Sequence, residues 1–388
     1  MPLSSSLPEP DARSLAHSRD LRSVLMQRCE DGPISFRAYM QAILYEPGFG
    51  YYMAGAEKFG ASGDFITAPE VTPLFGQTVA AQVLEVLSAT GGQVLEFGAG
   101  AGGLAASVVP ELGESDYLIL EPSAELQRRQ KERLRRELAQ DQFKQIHWLT
   151  TLPEQFVGVV LANEVLDAFA VECFRIGDSG QVEQLSVTVQ ENQVLEIWQL
   201  ATEQLTQAVR KIETDLGHTL PVGYRSEINL TLQSWLTSVS ESIATGVVLL
   251  IDYGYPRAEY YSPERTSGTL QCFYQHRVHD DVYRHPGLQD VTAHIDFTAT
   301  IEAADAAGLT LLGYTTQASF LMSLGLLTRA EQAQHSCQNE AQRISLMKAV
   351  KTLTMPAEMG ERFQVMGLGK NFNQPLTGFA ISDLSHRL

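Results

Sequence analysis

The sequence has little cysteine, little positive charge and no long apolar run. Its four cysteines stand far apart among 388 residues: Cys29, Cys173, Cys272 and Cys337. Because no two of them have the close spacing of a zinc site or a disulfide scaffold, neither kind of framework is indicated. We therefore expect the chain to work in a reducing, cytoplasmic compartment.

The shortage of positive charge limits the partners. Twenty-eight Lys and Arg against 46 Asp and Glu give a formal net charge of −18 at pH 7. A nucleic-acid backbone is disfavoured, because phosphate contacts need a basic surface. A basic protein or a cationic side chain is favoured instead, although an acidic surface can also serve solubility alone.

Long apolar segments are missing as well. No stretch reaches the ~20 apolar residues that span a bilayer. Residues 1–20 contain acids and lack an apolar signal core, so we interpret them as a loose arm and not as a targeting peptide. The length suggests more than one domain, or one domain with large insertions.

A glycine-rich turn organises the rest of the chain. The apolar residues of Gln93–Phe97 predict a buried strand, and Gly98, Gly100 and Gly102 then lead into a helix that begins near Leu104. This strand–glycine–helix order opens doubly wound nucleotide-binding sheets. Bare glycine backbone lets a ligand approach closely.

Two acids beside this turn narrow the choice of ligand. Glu96 stands where dinucleotide-binding sheets carry an apolar residue, because a carboxylate would repel a pyrophosphate. S-adenosylmethionine has no phosphate and carries a sulfonium and an ammonium, which an acid attracts. Glu121 follows the predicted strand Tyr117–Leu120 and is placed to accept ribose hydroxyls. S-adenosylmethionine is therefore favoured, with a dinucleotide or a merely tight turn as the open alternatives.

Polar residues follow a fourth predicted strand, at 157–162. Asn163, Glu164 and Asp167 put an amide and two carboxylates at the edge of the sheet where ligands bind. The alternative is that they cap a following helix. Further strands are predicted at 145–148, 247–251, 310–314 and 362–366, and helices at 21–27, 35–44, 71–87, 123–140, 202–216, 227–242, 297–307 and 330–353.

Two irregular segments have open interpretations. Residues 45–70 are rich in glycine and aromatics, and they form either a lid over a flat ligand or an extension packed on the core. Residues 255–290 are predicted as a long functional loop. His276 in this loop, and His294 and Asp296 just after it, are interpreted as polar lining of a substrate channel in preference to a metal site, and Asp296 alternatively caps a helix.

These elements suggest a division of the chain. Its parts are an arm with helices and lid (1–70), the first part of the core (71–180), an inserted hairpin and helical subdomain (181–245), the second part of the core with the substrate loop (246–317), a helical insertion (318–358), and the last strand with the tail (359–388).

Seven separated motifs carry a family resemblance that runs from about residue 34 to residue 370. They are GDFITAPE at 63–70, EFGAG at 96–100, EPS at 121–123, ANEVLDA at 162–168, IDYG at 251–254, TAHIDF at 292–297 and MGERF at 359–363. The chain resembles the MidA-like family of class I S-adenosylmethionine-dependent methyltransferases. The mitochondrial members of that family are protein arginine methyltransferases that assist assembly of respiratory complex I.

The resemblance implies a fold and a site. The fold is α/β, a Rossmann-like class I methyltransferase sheet that is mostly parallel with its last strand antiparallel, with an N-terminal helical and lid extension and an inserted subdomain. The implied cofactor-binding residues are Asp64, Glu96, Gly98, Gly100, Gly102, Glu121 and Asn163. The implied catalytic residues are Glu164 and Asp167, which would grip a guanidinium, and His276 and His294, which would relay or orient protons, with Glu172 as a looser third acid.

The resemblance also implies the reaction and its partners. A nucleophile attacks the sulfonium methyl in line, so the protein contributes positioning and electrostatics. The partner is a protein substrate, by analogy a respiratory-complex subunit, and a homodimer is left open. The family usually has arginine where this chain has Ala101 and Gln271. These two departures favour the alternative, a non-catalytic assembly protein that keeps the fold.

Overall fold

The computed structural model describes residues 7–54, 67–191 and 193–388. The expected cofactor residue Asp64, and most of the glycine-rich half of the expected lid, lie outside them. The helices are α1 (Ala12–Arg28), α2 (Phe36–Tyr45), α3 (Ala68–Val71), α4 (Pro73–Thr90), α5 (Gly103–Val108), α6 (Ala124–Glu137), α7 (Gln140–Lys144), α8 (Glu203–Leu216), α9 (Leu232–Ser242), α10 (Arg257–Tyr260), α11 (Phe297–Ala306), α12 (Gln317–Ser323), α13 (Leu326–His335) and α14 (Glu340–Thr354).

The strands are β1 (Ile34–Ser35), β2 (Gln93–Phe97), β3 (Tyr117–Leu120), β4 (Ile146–Leu149), β5 (Phe156–Asn163), β6 (Glu172–Ile176), β7 (Val182–Gln190), β8 (Gln193–Leu200), β9 (Arg225–Ile228), β10 (Ile243–Tyr255), β11 (Gln271–Tyr274), β12 (Arg277–His279), β13 (Asp290–Thr292), β14 (Ile295–Asp296), β15 (Thr310–Thr316) and β16 (Phe363–Lys370). The described residues divide into two compact units. The first unit comprises 7–54, 167–191, 193–232 and 255–296, and the second comprises 67–166, 233–254 and 297–388.

The second unit is built on one sheet, in the order β15-β16-β10-β5-β2-β3-β4. Strands β4, β3, β2, β5 and β10 are parallel, and β16 runs antiparallel to β10 and β15 on its two sides. The chain leaves β2 toward β3 and β4 and then returns to β5 on the other side of β2. This reversal creates the crevice in which doubly wound sheets bind their ligands.

The central strands form because their residues are apolar on both faces. In β5, Val159, Val160, Leu161 and Ala162 are all buried, as expected of a parallel strand covered by helices on both sides. Helix α4 begins at Pro73, where a missing N–H costs nothing, and the hydroxyl of Thr72 accepts a bond from the N–H of Leu74. The predicted α/β sheet, mostly parallel with an antiparallel last strand, is confirmed.

The first unit is mainly antiparallel. One sheet has the order β1-β7-β6-β9 with β8 on β7, and a smaller one has the order β12-β11-β13. Helix α2 buries Tyr39, Met40 and Ile43 in a core shared with β7 and α1. Its predicted N-cap is confirmed, since the hydroxyl of Ser35 accepts from the N–H of Ala38 at 3.2 Å.

Several sequence predictions in this unit are wrong. The expected loose arm contains the start of α1, capped by Asp11, and the expected loop 255–290 contains α10, β11 and β12. The expected helix 227–242 begins only at Leu232, because Ser226 and Glu227 belong to strand β9. In the second unit, the expected helix 330–353 is interrupted, and α14 starts afresh with Asn339 as its N-cap.

No helix among the described residues is both long and apolar enough to cross a bilayer.

We expect Gly158→Ala to destabilise the second unit. Gly158 lies in β5 with φ +132°, and an added Cβ would overlap the carbonyl oxygen of Gln93 in the neighbouring strand. Backbone on both sides prevents relief, so the free energy of unfolding should fall by about 2–3 kcal/mol. Denaturant unfolding of both proteins measures the loss.

The matched control is Gly113→Ala. Gly113 has φ +66°, but an added Cβ there would meet open space among the described residues. It should cost only the conformational penalty of about 1 kcal/mol. Equal losses for the two variants would show that the packing of β5 on β2 is not the cause.

Candidate cofactor and acceptor site

The glycine turn lies at the carboxyl end of β2. Gly98, Gly100 and Gly102 have φ of +56°, +51° and +85°, a left-handed conformation that other residues rarely adopt. The turn is closed by a bond from the Gly102 N–H to the Ala99 carbonyl at 2.7 Å. A Cβ at Gly98 would make only an ordinary 3.6 Å contact with Val165. Glycine is therefore required here by backbone conformation, and the space beside the turn is left free of side chain.

Glu121 lies directly after β3, beside this turn. Its side chain is buried, with 4% exposed. One carboxylate oxygen accepts from the N–H of Ser123 at 2.9 Å, and the other accepts from the amide of Gln130 at 3.3 Å. Burial raises the pKa of Glu121 to about 7, against the lowering effect of these two donors. The carboxylate therefore changes charge close to neutral pH.

Glu96 has a different environment from the one we expected. Its carboxylate is 3% exposed and accepts a 2.8 Å bond from the hydroxyl of Tyr117, inside the sheet. Burial raises its pKa to about 8, and the charge of Glu121 adds to the shift. Its contact with the cofactor stays a prediction.

The carboxyl end of β5 carries Asn163 and Glu164. Glu164 has φ +53° and is held there by a bond from its N–H to the Ile251 carbonyl at 2.9 Å. Its Oε1 accepts from the N–H of Ala68 at 3.3 Å and from the side-chain amide of Asn163 at 3.2 Å. The Oδ1 atom of Asn163 is buried without a hydrogen-bond partner among the described residues.

Asp252, at the end of β10, supports the same turn. Its Oδ2 accepts from the N–H of Leu166 at 3.0 Å, and its Oδ1 accepts from the N–H of Tyr253 at 2.9 Å. No helix follows β5 within the described residues 164–171, which form turns before β6 begins. The helix-cap interpretation of Asn163 and Glu164 is therefore wrong.

The other expected catalytic residues belong to the first unit. The Asp167 carbonyl accepts from the N–H of Ala293 at 3.0 Å, and its side chain is buried. The N–H of His294 donates to the hydroxyl of Thr269 at 3.0 Å, and its ring lies 5.3 Å from the ring of Tyr255. His276 is exposed in the two-residue turn between β11 and β12, where its φ is +60°.

Two further acids are held in ion pairs inside the first unit. Glu172 accepts from Arg37 and from Gln184, each at 2.9 Å, so it is not an ordinary surface acid. Asp296 pairs with Arg257 at 3.2 Å. No group of three or more His, Cys, Asp or Glu side chains in the described part of the chain is arranged to hold a metal ion.

Residues 78–315 match a family model described as "putative S-adenosyl-L-methionine-dependent methyltransferase". The chain belongs to this methyltransferase family. Its expected MidA-like membership and its S-adenosylmethionine cofactor are confirmed.

A solved structure supports the same conclusion. This methyltransferase is 38% identical to a "likely methyl transferase" from Burkholderia thailandensis, bound to S-adenosyl-homocysteine, with a TM-score of 0.92 over 99% of this chain and 100% of that one. A second structure from the same organism is 37% identical, with a TM-score of 0.89 over 99% of this chain and 100% of that one. The class I methyltransferase fold is confirmed.

Curated relatives are more distant. The methyltransferase is 29% identical over 364 residues to the mitochondrial protein arginine methyltransferase NDUFAF7 of Danio rerio, covering 86% of this chain and 82% of the relative. It is 28% identical over 399 residues to the corresponding homologue of Drosophila melanogaster, covering 93% and 87%. The expected cytoplasmic location is contradicted, because these relatives are named as mitochondrial proteins.

The residues at the edge of this methyltransferase's sheet fit the cofactor. The bare glycine turn leaves room for it, and the carboxylate of Glu121 suits a ribose diol. The buried Oδ1 of Asn163 is an acceptor that a bound amine or hydroxyl would satisfy. Sequence reasoning missed one residue here, Gln130, whose amide contacts both the turn and Glu121. The sequence feature that points to Gln130 is its place as a polar residue between Leu126 and Leu134, on the apolar stripe of α6.

We expect Glu96→Gln to change how stability depends on pH. The folded pKa of Glu96, about 8, lies above its ordinary value of 4.5. The contribution of Glu96 to the free energy of unfolding is therefore complete below about pH 4.5, and it is lost as the pH rises to about 8. The neutral variant avoids that loss, and its amide oxygen can still accept from Tyr117. At pH 9 it should be more stable than wild type by a few kcal/mol, at about 1.4 kcal/mol per pKa unit.

Thermal unfolding at pH 5 and pH 9 checks this. The two proteins should differ little at pH 5, where Glu96 is protonated in the folded wild type. Parallel melting curves at both pH values would show that Glu96 does not titrate in this range.

We expect Glu121→Gln to weaken cofactor binding. A carboxylate that accepts ribose hydroxyls forms charge-assisted bonds, and their loss should lower the affinity for S-adenosylmethionine about 10- to 100-fold. Calorimetric titration measures it. Glu132→Gln, on the exposed face of α6, is the control and should bind as wild type does. Wild-type affinity in Glu121→Gln would remove this residue from the site.

Proposed function

We propose that this methyltransferase transfers the methyl group to a guanidinium nitrogen of an arginine side chain in a protein. Glu164 carries the proposal. It is a non-glycine residue held at φ +53°, a conformation that costs on the order of 1–3 kcal/mol and persists only where the surroundings enforce it. The bond from its N–H to Ile251 supplies part of that enforcement. Other non-glycine residues, among them Gln155 and Asn371, have a similar φ. The location of Glu164 at the carboxyl end of β5 is therefore what distinguishes it.

The position of Glu164 supports a role beside the cofactor. It follows β5, which pairs with β2 in parallel register, and the glycine turn follows β2. The two turns therefore leave the same edge of the sheet. A carboxylate at this edge suits a cationic acceptor, in keeping with the net charge of −18. Two relatives, matched by this chain over 82% and 87% of their own length, are named protein arginine methyltransferases.

Methyl transfer to a guanidinium nitrogen requires the protein to position the acceptor and to stabilise its charge. The cofactor supplies an electrophilic sulfonium methyl group. Glu164 would hold the guanidinium through paired hydrogen bonds and localise the lone pair on the attacking nitrogen. Asp167 stays a sequence-based candidate for the same role. The nitrogen–carbon bond forms as the sulfur–carbon bond breaks, and the nitrogen then loses a proton to a carboxylate. His276 and His294 stay the candidates for passing that proton to solvent.

An arginine does lie at the turn where the family motif has one and this chain has Ala101. A guanidinium nitrogen of Arg133, from α6, is 3.5 Å from the Ala101 carbonyl oxygen and pairs with Glu70 of α3. The replacement at 101 therefore leaves a guanidinium beside the glycine turn, paired with Glu70 and Glu137, which weakens the case for a non-catalytic protein. By analogy, we extend the proposal to a respiratory-complex subunit as the acceptor.

The acceptor class is tested with S-adenosylmethionine labelled in its methyl group. Two peptide pools that differ only in a central arginine or lysine are offered, together with an unfractionated cell-protein extract. Acid hydrolysis and chromatography then identify the labelled amino acid. We expect label in methylarginine. Label only in methyllysine, or in another amino acid, would overturn the arginine assignment while leaving the methyltransferase intact.

We expect Glu164→Gln to lower kcat on the labelled acceptor about 100-fold or more, because an amide neither holds a guanidinium as strongly nor takes its proton. Affinity for S-adenosylmethionine should stay within about threefold, since Glu164 acts on the acceptor. Glu132→Gln again serves as the control. A variant that keeps its rate, or that loses cofactor affinity in equal measure, would contradict the role given to Glu164.

A further inference from the structure

We propose that Gln130 is a positioning residue of the cofactor site: its side-chain amide ties the glycine turn to the carboxylate of Glu121. This inference concerns the cofactor alone and is independent of the arginine assignment. It does use the ribose-binding role proposed for Glu121.

Gln130 lies on α6 with no exposed surface. Its Nε2 donates to the carbonyl of Gly100 at 3.0 Å and to Oε2 of Glu121 at 3.3 Å. Its Oε1 accepts from the indole Nε1 of Trp148 at 2.9 Å. One amide therefore connects the turn after β2, the acid after β3 and the strand β4.

Trp148 determines which way this amide faces. An indole N–H can only donate, so the atom that meets it must be the amide oxygen. The NH₂ group is then directed to Gly100 and Glu121, and both of its hydrogens are used. Each donor and acceptor of the side chain is satisfied, as a buried polar group requires.

The glutamine at this position interrupts an apolar stripe. Leu126, Gln130 and Leu134 follow one another at four-residue spacing on the buried face of α6. An apolar residue there would avoid the cost of removing an amide from water, but it would also take a partner from the Trp148 N–H and the Gly100 carbonyl. A buried amide, bonded to two groups that line the proposed cofactor site, instead orders those groups before the cofactor arrives, which lowers the cost of binding.

The amide also affects the charge of Glu121. Burial raises the pKa of Glu121 to about 7, and the donors Ser123 and Gln130 oppose that shift. The charged and titratable groups around this cluster include Glu96, paired with Tyr117, and Lys131, which lies over the Trp148 ring at 4.9 Å. Arg133 lies on the other side of the glycine turn, where it is paired with Glu70 and Glu137. Removal of the Gln130 donor should therefore raise the pKa of Glu121 further and leave less carboxylate at neutral pH.

The chain contains a matched control on the same helix. Gln127 lies one turn earlier on α6, and its amide donates to the main-chain carbonyl of Glu121 at 2.7 Å. It makes the same type of bond to the same residue but does not act on the carboxylate. Gln127→Met therefore removes an amide of equal size without removing the proposed function.

The experiment is calorimetric titration of S-adenosylmethionine at intervals from pH 6 to pH 9, with wild type, Gln130→Met and Gln127→Met. In wild type, affinity should rise with pH as Glu121 ionises. In Gln130→Met, affinity at pH 7 should fall about 10-fold, and the midpoint of its pH dependence should move up by roughly one pH unit. Gln127→Met should keep the wild-type midpoint and an affinity within about twofold. The ligand's own amine titrates equally in all three, so it cancels in the comparison.

A Gln130→Met protein with the wild-type midpoint, or with the same loss as Gln127→Met, would show that Gln130 is merely a packed residue and would overturn the proposal. Trp148→Phe covers the case in which Gln130→Met does not fold, because it removes the bond that directs the amide and leaves the amide in place. It should move the midpoint in the same direction, and an unchanged midpoint in that variant would also overturn the proposal. If the affinity of the wild type did not change with pH, the ribose-binding role of Glu121 would be refuted, and the proposal that rests on it would be overturned as well.

Discussion

The site depends on the register of the parallel strands. Phe97, Leu120 and Ala162 are level with one another across β3, β2 and β5. The residue after each strand then continues the ladder by one bond: Gly98 donates to the Leu120 carbonyl at 3.2 Å, and Glu164 donates to the Ile251 carbonyl at 2.9 Å. A slip of one residue would turn every side chain to the other face of the sheet. Backbone pairing, more than any single side chain, thus brings the glycines and the acids to one edge.

Much of this sheet could be predicted from sequence, because buried parallel strands are short apolar runs and the turns between them need glycine. The first unit could not be predicted so well. Strand β9 carries Glu227, a buried carboxylate that accepts from the hydroxyl of Tyr260 and the N–H of Thr269, 33 and 42 residues away. A local pattern cannot show partners at such distances, so it predicts helix for part of β9 and a loop for the segment that supplies those partners.

The same limit applies within the candidate site. The charge of Glu96 is visible in the sequence, but its partner Tyr117 lies 21 residues away on another strand, and the carboxylate is engaged inside the sheet. Gln130 is not among the predicted site residues, because its partners Gly100 and Trp148 lie 30 and 18 residues away in the chain. A glutamine between Leu126 and Leu134, on the face of α6 that is buried, was the available signal. Residue type can point to a site, whereas the role of a residue follows from contacts that only the fold creates.

Two carboxyl groups with a raised pKa, near the ends of β2 and β3, also give a physical reason for the choice of cofactor. Burial raises the pKa of both Glu96 and Glu121, and their mutual repulsion adds to the shift of Glu96. A cation bound beside Glu121 would favour its ionised form, so that binding would release a proton and gain electrostatic energy. Glu96 would contribute only through its charge, because its carboxylate is bonded to Tyr117 inside the sheet. A pyrophosphate would have the opposite effect and would hold both acids in their neutral forms. The sheet therefore favours a sulfonium cofactor through the electrostatics of its strand ends, even though the glycine turn alone suits either ligand.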